Sequence, residues 1–356
     1  MSHKVNSICR KSSILFIFLL LFQAAIGQYD FSEAEAILEK NRKALGNDVV
    51  MLIWKDGKMV YAKDIKKGET GFNAKIPAPI ASCSKWLTAA LVMTFVDAGK
   101  ISLDDPISKY LPFYEKYMKG YITIRQCLSH TTGIEDEGTF LKKITQRGKF
   151  NSLEEEVNSF ASKRDISANP GQQFWYGNVG LNIAGRILEI VGKKSFDRLI
   201  MERLFRPLKM KNSTFTNENY NAAVNPSGGA KSTANDYMNF LCMILNKGMF
   251  EGKRFLSEES IAEMIKIQSK DAVVKYTPVV SSGYPYGLGC WIQEMDGSGN
   301  ATVISSPGLF GTWPMVDYCR GYACIIFVKT LLNEQRKEIY LGIKEAIDQQ
   351  IASQCK

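Results

Sequence analysis

The sequence predicts an α+β fold in which an antiparallel sheet is flanked by helices and carries a helical insert. Aromatic and β-branched runs typical of strands occur near residue 50 and again beyond residue 285, whereas residues 101–224 show mostly helical patterns. Strands at both ends of a chain form one sheet when the chain returns to complete it. We therefore expect a single domain over residues 28–356, with the sheet part at about 28–100 and 225–356 and the insert at about 101–224.

The first strands are expected as a β-hairpin. Residues 49–54 and 58–63 flank Asp56-Gly57, a dipeptide typical of tight hairpin turns. The later strands are predicted from aromatic or β-branched runs that lie between glycines. They are expected at 286–293, 301–305, 312–318 and 322–329.

Helices are expected between and after these strands. Pro77 and Pro79 are expected to exclude regular structure, so a buried helix is expected to begin near Ala81. Thr123 and Gln126 form a capping-box pattern before a short helical turn. Further helices are predicted at 181–191, 235–246, 257–267 and 334–351.

The first 27 residues have the pattern of a signal peptide. Lys4, Arg10 and Lys11 form a basic segment, residues 14–22 form an unbroken apolar run, and residues 25–27 offer a cleavage region with small residues. We expect an exported protein, periplasmic or secreted. The apolar run is shorter than the roughly 20 residues of a membrane helix, so no stable membrane span is expected after its removal. An uncleaved N-terminal anchor is the alternative.

The basic excess does not favour a nucleic-acid partner. The formal net charge of +9 falls to +6 without residues 1–27, which carry three basic and no acidic residues. The remaining Lys and Arg are scattered among acidic residues, whereas a nucleic-acid binder needs a clustered basic face. The sequence also has no Cys-x-x-Cys or His-rich cluster and no nucleotide or flavin motif, so we expect no metal and no cofactor.

Seven cysteines remain once Cys9 is removed with the signal. An odd number in an exported chain argues against a complete disulfide framework. Cys83, Cys127 and Cys242 lie in apolar helical patterns and are predicted as buried thiols. Cys319 and Cys324 flank a predicted hairpin turn, and a disulfide between them requires Cα atoms within about 7 Å.

Ser82 is the candidate nucleophile. The chain after residue 27 has one histidine, His130, and no Gly-x-Ser-x-Gly motif, so a Ser-His-Asp mechanism would depend on His130. Ser82 and Lys85 are three residues apart at the predicted start of a helix, where side chains at that spacing share a face. The positive helix end and apolar neighbours favour an uncharged amine that can act as a base. The alternative is that Ser82 only caps the helix.

Tyr176 and Asn178 form the second candidate element. They follow a Pro-Gly pair and precede a predicted helix, a loop position from which side chains can reach a cleft. A tyrosine beside a lysine can move a proton, and an asparagine can donate to a substrate carbonyl. Tyr237 begins a chance match to the same pattern inside a predicted helix. The alternative for Tyr176 is an aromatic residue that packs the insert.

These residues, together with several stretches in the same order, resemble the serine β-lactamase and penicillin-binding superfamily. The resemblance is strongest to its class C branch, with esterase and D-aminopeptidase-type relatives, and it covers roughly residues 45–330. It implies a β-lactamase/transpeptidase-like fold and a cofactor-free acyl-enzyme mechanism. The matching stretches are 99–106, 124–134, 170–171, 207–210, 228–229 with 232–233, and 286–289.

The resemblance implies a role for each candidate residue. Ser82 would be the acylated nucleophile, and Lys85 and Tyr176 would share the role of general base. Asn178 would orient the acyl group of the substrate. His130 would be a hydrogen-bonded structural residue.

The third motif of the family is altered in this chain. The family places Lys or His, any residue and then Gly on the strand that faces the nucleophile, whereas this chain has Ser306 before Pro307-Gly308. Gly308 permits a close backbone approach. The amide of Leu309 is expected to join the Ser82 amide in an oxyanion hole.

The serine at 306 affects which substrates are expected. β-Lactams and D-Ala-terminated peptides carry a carboxylate, which would lose its cationic partner at position 306. Esters and uncharged amides have no such carboxylate, so their binding is expected to be weakened less. Arg320 and Lys329 are the candidate replacements for this cation.

The predicted function is hydrolysis of a small-molecule or peptide-like ester or amide through a Ser82 acyl-enzyme. Two alternatives stay open. One is a β-lactamase or D-Ala-D-Ala-type peptidase. The other, suggested by Ser306, is a binding or sensing module that kept the fold and lost turnover.

Overall fold

The computed structural model describes residues 29–66, 68, 71–136, 150–216, 222–332 and 336–355. The predicted signal peptide lies outside these described residues. Within them, no helix is both long enough and apolar enough to cross a bilayer. The fold is α+β, as predicted from the sequence.

The strands, in chain order, are β1 (Val49–Lys55), β2 (Lys58–Ile65), β3 (Ala78–Pro79), β4 (Gln173–Trp175), β5 (Lys231–Ser232), β6 (Met249–Phe250), β7 (Lys253–Arg254), β8 (Val273–Tyr276), β9 (Trp291–Met295), β10 (Ala301–Ser305), β11 (Trp313–Asp317) and β12 (Tyr322–Val328). The helices are α1 (Ser32–Asn41), α2 (Ser84–Asp97), α3 (Ile124–Leu128), α4 (Leu153–Lys163), α5 (Val179–Gly192), α6 (Phe196–Ile200), α7 (Ala234–Leu245), α8 (Glu258–Ile265) and α9 (Lys337–Asp348). A single π-helical turn, Met201–Phe205, follows α6.

A six-stranded antiparallel sheet has the order β2-β1-β12-β11-β10-β9. The N-terminal hairpin therefore pairs with the last strand of the chain, which confirms that the returning chain completes the sheet. The hairpin turn is the predicted one: Asp56 and Gly57 have φ angles of 51° and 78°, and such a turn requires positive φ at both positions.

Alternate residues of β1 face two different layers. Val49, Met51 and Ile53 pack with α1 and α9, whereas Val50 and Leu52 pack with the helices on the opposite face. Both faces of the central strands are buried, so these strands consist of nearly continuous apolar residues.

Helix α2 is buried on every side. All of its residues from Ser84 to Phe95 are buried, which is typical of a helix inside a domain rather than on its surface. The start of this helix therefore lies inside the molecule, whereas residue 82, just before it, is partly exposed. The capping box of Thr123 and Gln126 is also present, at the start of α3.

Two expectations are corrected by the structure. The predicted strand at 286–293 begins only at Trp291, because the chain turns first: Gly289 has φ 82° and the Gly287 amide donates to the Cys290 carbonyl. Pro79 lies in a short strand that pairs with Lys231, although prolines were expected to exclude regular structure there. Helix α1 was not predicted at all.

The Cys319–Cys324 disulfide, which the sequence left open, is not formed in the structure. Cys319 is bonded to Cys355, 36 residues further along the chain. Cys324 is a buried thiol in β12, where its side chain packs in the α1/α9 layer. Cys83, Cys127 and Cys242 are buried thiols, as predicted.

Replacing Cys355 with Ser is expected to lower the free energy of unfolding. The disulfide closes a loop over a separation of 36 residues, and a crosslink of this size stabilises by about 2–4 kcal/mol. Denaturant titration of the wild type with and without reductant measures the effect, and the Cys355→Ser variant should not respond to reductant. Equal stability of the wild type in both conditions would contradict this expectation.

Candidate active site

Ser82 lies in a tight turn that leads directly into α2. A single 3-10 turn, Ala81–Cys83, precedes the helix, and Ser82 is partly exposed. Ala81 has φ 44°, a left-handed conformation that costs a non-glycine residue about 1–3 kcal/mol. The surrounding contacts hold this turn in place: the Ala230 amide donates to Ser84 Oγ at 3.0 Å. The nucleophile candidate is therefore presented by a strained and fixed backbone.

Lys85 is buried with oxygen atoms around its amine. Its Nζ lies 3.3 Å from Ser82 Oγ, 3.3 Å from Asn178 Oδ1 and 2.8 Å from the Ser227 carbonyl oxygen. An ammonium can donate to all three oxygens, whereas a neutral amine donates to two and accepts the Ser82 proton. The geometry fits both protonation states and links Ser82 to Asn178.

Tyr176 completes the group around Ser82. Tyr176 is buried, and Lys85 Nζ lies 4.9 Å from the centre of its ring. Burial raises the pKa of Tyr176 well above its usual value, and the interaction with the Ser82 side chain offsets this only in part. The phenol therefore stays protonated at neutral pH and can donate a proton.

An aromatic cluster holds the ring of Tyr176. The ring centre lies 4.6 Å from that of His130, 5.1 Å from that of Trp291 and 5.9 Å from that of Tyr286. His130 accepts a hydrogen bond from the Gly177 amide through Nδ1, and its Nε2 lies 3.3 Å from the Tyr286 hydroxyl. These contacts fit the structural role expected for His130.

Asn178 is positioned by a residue that the sequence did not reveal. Its backbone amide donates to Asp136 Oδ2 at 2.6 Å, while its side-chain oxygen faces Lys85. Asp136 lies in the acidic run 135–137, a pattern more typical of a solvated turn than of a buried carboxylate. The Tyr237 motif that matched by chance is buried in α7, where the Tyr237 hydroxyl donates to the Cys83 carbonyl.

Residues 306–309 lie in the connection between β10 and β11. Ser306 is buried, and its hydroxyl donates to the Gly289 carbonyl at 3.2 Å. A Cβ atom added at Gly308 would lie 2.3 Å from the Ile80 carbonyl oxygen, so only glycine allows this approach to the turn of Ser82. The Gly308 amide donates to the Thr312 carbonyl, which leaves the next amide, that of Leu309, as the oxyanion-hole candidate.

The two cations considered as substitutes at position 306 have carboxylate partners elsewhere. Arg320 lies in the β11–β12 turn, at the opposite end of β11 from the 306–312 connection, and forms ion pairs with Asp317 and Asp348. Lys329 forms an ion pair with Asp48 at 3.0 Å.

Comparison with known proteins places the chain in a family. The family profile described as Beta-lactamase matches residues 38–346. The chain belongs to the beta-lactamase family. Its family and fold support a serine hydrolase in general terms.

One curated relative is longer than this chain of the beta-lactamase family. Protein flp of Staphylococcus aureus (strain MW2) is 29% identical over 179 residues, 48% of this chain and 35% of that protein. The chain thus spans about a third of the length of that curated relative.

Solved structures share the fold over most of the chain. A proposed beta-lactamase from Bacteroides dorei DSM 17855 is 28% identical with a TM-score of 0.79, covering 90% of this chain and 99% of that one. A family VIII carboxylesterase is 16% identical with a TM-score of 0.72, covering 90% of this chain and 97% of that one. At 16% identity, the similarity to the carboxylesterase shows a shared fold and nothing more.

If the Tyr176 hydroxyl moves the Ser82 proton, replacing Tyr176 with Phe is expected to lower kcat/KM for an aryl ester about 10²–10⁴-fold. Initial rates on purified protein measure this effect. Tyr318→Phe is the matched control, since the Tyr318 hydroxyl donates to the Ile244 carbonyl instead. Wild-type rates in Tyr176→Phe would contradict a role for the phenol in proton transfer.

Proposed function

We propose that this chain hydrolyses esters or uncharged amides through an acyl-enzyme on Ser82. The observation that carries the proposal is the contact of one partly exposed hydroxyl with two proton-transfer groups. Ser82 Oγ lies 3.3 Å from Lys85 Nζ, and the Ser82 side chain also interacts with the Tyr176 hydroxyl and lowers its pKa. Such a nucleophile needs no histidine.

Acylation follows from this arrangement. Ser82 Oγ attacks the substrate carbonyl carbon and transfers its proton to the Lys85–Tyr176 pair. The amides of Ser82 and Leu309 stabilise the resulting oxyanion. When the bond to the leaving group breaks, the pair returns the proton to the leaving oxygen or nitrogen. We treat the two groups as one coupled proton carrier.

Deacylation uses the same groups in reverse. Water attacks the acyl carbon and gives one proton to the pair. The bond to Ser82 Oγ then breaks, and the pair returns the proton to that oxygen. The acid product leaves and the resting site is restored.

The contacts of Ser306 favour substrates that carry no carboxylate at this position. Ser306 donates its hydroxyl proton to a backbone carbonyl and offers no charge to a substrate carboxylate. Arg320 and Lys329 form ion pairs with acidic side chains elsewhere. A β-lactam or a D-Ala-terminated peptide would therefore find no cation at this position.

The rim beside Tyr176 supports a hydrophobic acyl or alkyl group. The Tyr176 amide donates to the Tyr276 carbonyl at 3.0 Å, so β8 borders the candidate site. Val274 and Tyr276 both lie on this strand, and both are strongly exposed. Exposed apolar side chains that cluster at a site mark a binding surface for apolar groups.

The decisive test compares an aryl ester with a chromogenic cephalosporin on wild type and Ser82→Ala. We expect the ester to be turned over faster by the wild type, and Ser82→Ala to be inactive on both. Faster cephalosporin turnover would favour a β-lactamase or peptidase. Stable labelling by a fluorophosphonate without ester turnover would favour a binding or sensing module. Equal inactivity of wild type and variant towards all three reagents would contradict the proposal.

The acyl-chain preference of the wild type is expected to depend on the β8 rim. In a series of aryl esters from acetyl to hexanoyl, kcat/KM should rise with length, because each buried methylene contributes about 0.8 kcal/mol. Val274→Ser should flatten this rise. Leu341→Ser, at an exposed apolar residue of α9, is the matched control and should keep it. The same slope in wild type and Val274→Ser would contradict the role of the rim.

A further inference from the structure

We propose that Asp136 and Arg164 are positioning residues that hold the Tyr176-Gly177-Asn178 loop in its reactive geometry. This inference rests on the proposed function, because the loop supplies the phenol and the amide to the reaction at Ser82. Neither residue belongs to the set of site residues predicted from the sequence.

The Asp136 carboxylate bonds a donor through each of its oxygens. Oδ2 accepts the Asn178 amide at 2.6 Å, and Oδ1 accepts from Arg164 Nη1 at 3.1 Å. Only 4% of the Asp136 side chain is exposed, so this contact is shielded from water. A buried carboxylate needs such partners, and the removal of one leaves an uncompensated charge.

Arg164 is itself held in place. Its Nη1 also donates to the Glu135 carbonyl at 3.1 Å, and its guanidinium lies 4.5 Å from the centre of the Phe160 ring. The carboxylate of Asp136 therefore has a fixed cationic partner and a fixed orientation.

Gly177 shows how closely the loop lies on the carboxylate. A Cβ atom added at Gly177 would lie 1.7 Å from Asp136 Oδ2, far inside contact distance. The Gly177 amide donates to His130 Nδ1 at 3.4 Å. Two buried side chains, Asp136 and His130, thus bind consecutive amides of the loop.

A displacement of this loop would reach the reacting atoms directly. Asn178 Oδ1 is 3.3 Å from Lys85 Nζ, and Tyr176 lies two residues earlier in the same loop. A misplacement of about 1 Å in a catalytic group can lower a rate about 10²-fold. The expected loss is therefore in the chemical step rather than in folding.

Asp136→Asn is the most informative single change, because it conserves the volume of the side chain. A carboxamide offers one acceptor oxygen and one NH₂ donor. In either orientation of the carboxamide, its NH₂ group faces one of the two donors, the Asn178 amide or Arg164. The hydrogen bond to that donor is then lost. Asp236→Asn is the matched control, since buried Asp236 accepts from the Asn212 amide and the Ser213 hydroxyl.

The experiment measures kcat and KM for an aryl ester per titrated site, with a fluorophosphonate counting the reactive Ser82 hydroxyls. We expect Asp136→Asn to titrate nearly completely and to lose about 10²-fold in kcat, with a smaller change in KM. Asp236→Asn should keep the wild-type kcat per titrated site. If Asp136 served only folding, Asp136→Asn would lower the number of titrated sites and leave the kcat of each site unchanged. That result would overturn the proposal.

A double-mutant cycle tests the contact itself. In the wild type, a Cβ atom added at Gly177 would lie 1.7 Å from Asp136 Oδ2. In an Asp136→Ala background that oxygen is gone, and the nearest atom of residue 136 is its own Cβ, at 2.8 Å. Gly177→Ala should therefore lower kcat less in that background than in the wild type, and additive effects would overturn the contact.

Failure of the proposed function has a different signature. A wild type that neither titrates nor turns over the ester contradicts the proposed function, and the positioning role falls with it. An active and fully titrated wild type beside an unchanged Asp136→Asn contradicts the positioning role alone.

Discussion

The buried amine of Lys85 is the constraint around which the site is organised. An amine removed from water must be surrounded by oxygen atoms, and Ser82, Asn178 and Ser227 supply them at 2.8–3.3 Å. These oxygens come from three separate segments of the chain. The same requirement that satisfies the lysine therefore brings Ser82, the candidate nucleophile, next to the Tyr176 loop.

The fold supplies this constraint through a helix that is buried on every side. Helix α2 carries Lys85 in its first turn, and its position between the sheet and the helical region fixes where that amine lies. The sheet places the 306–312 connection against the same turn, where Gly308 touches the Ile80 carbonyl. The aromatic cluster with His130 and the Asp136–Arg164 pair then fix the loop on the remaining side. Local strain at Ala81 persists because its neighbours in the chain are held on both sides, Ile80 by Gly308 and Ser84 by the Ala230 amide.

Features determined by neighbouring residues were predictable from the sequence, and features determined by distant partners were not. The Asp56-Gly57 turn and the Thr123 capping box need only a few consecutive residues, and the spacing of Ser82 and Lys85 fixes their common helix face. By contrast, Asp136 meets Asn178 from 42 residues away, and Cys319 bonds Cys355 rather than the nearer Cys324. Such partners depend on how the whole chain returns on itself, and no local pattern encodes them.

In the proposed reaction, Ser82 carries the acyl group during turnover. Rapid acid quenching during the hydrolysis of an aryl ester, followed by proteolysis and mass spectrometry, locates the acyl group on the chain. We expect an added acyl mass on the peptide that contains Ser82 and on no other. An acyl group on a different side chain, or turnover with no acylated peptide at any quench time, would contradict it.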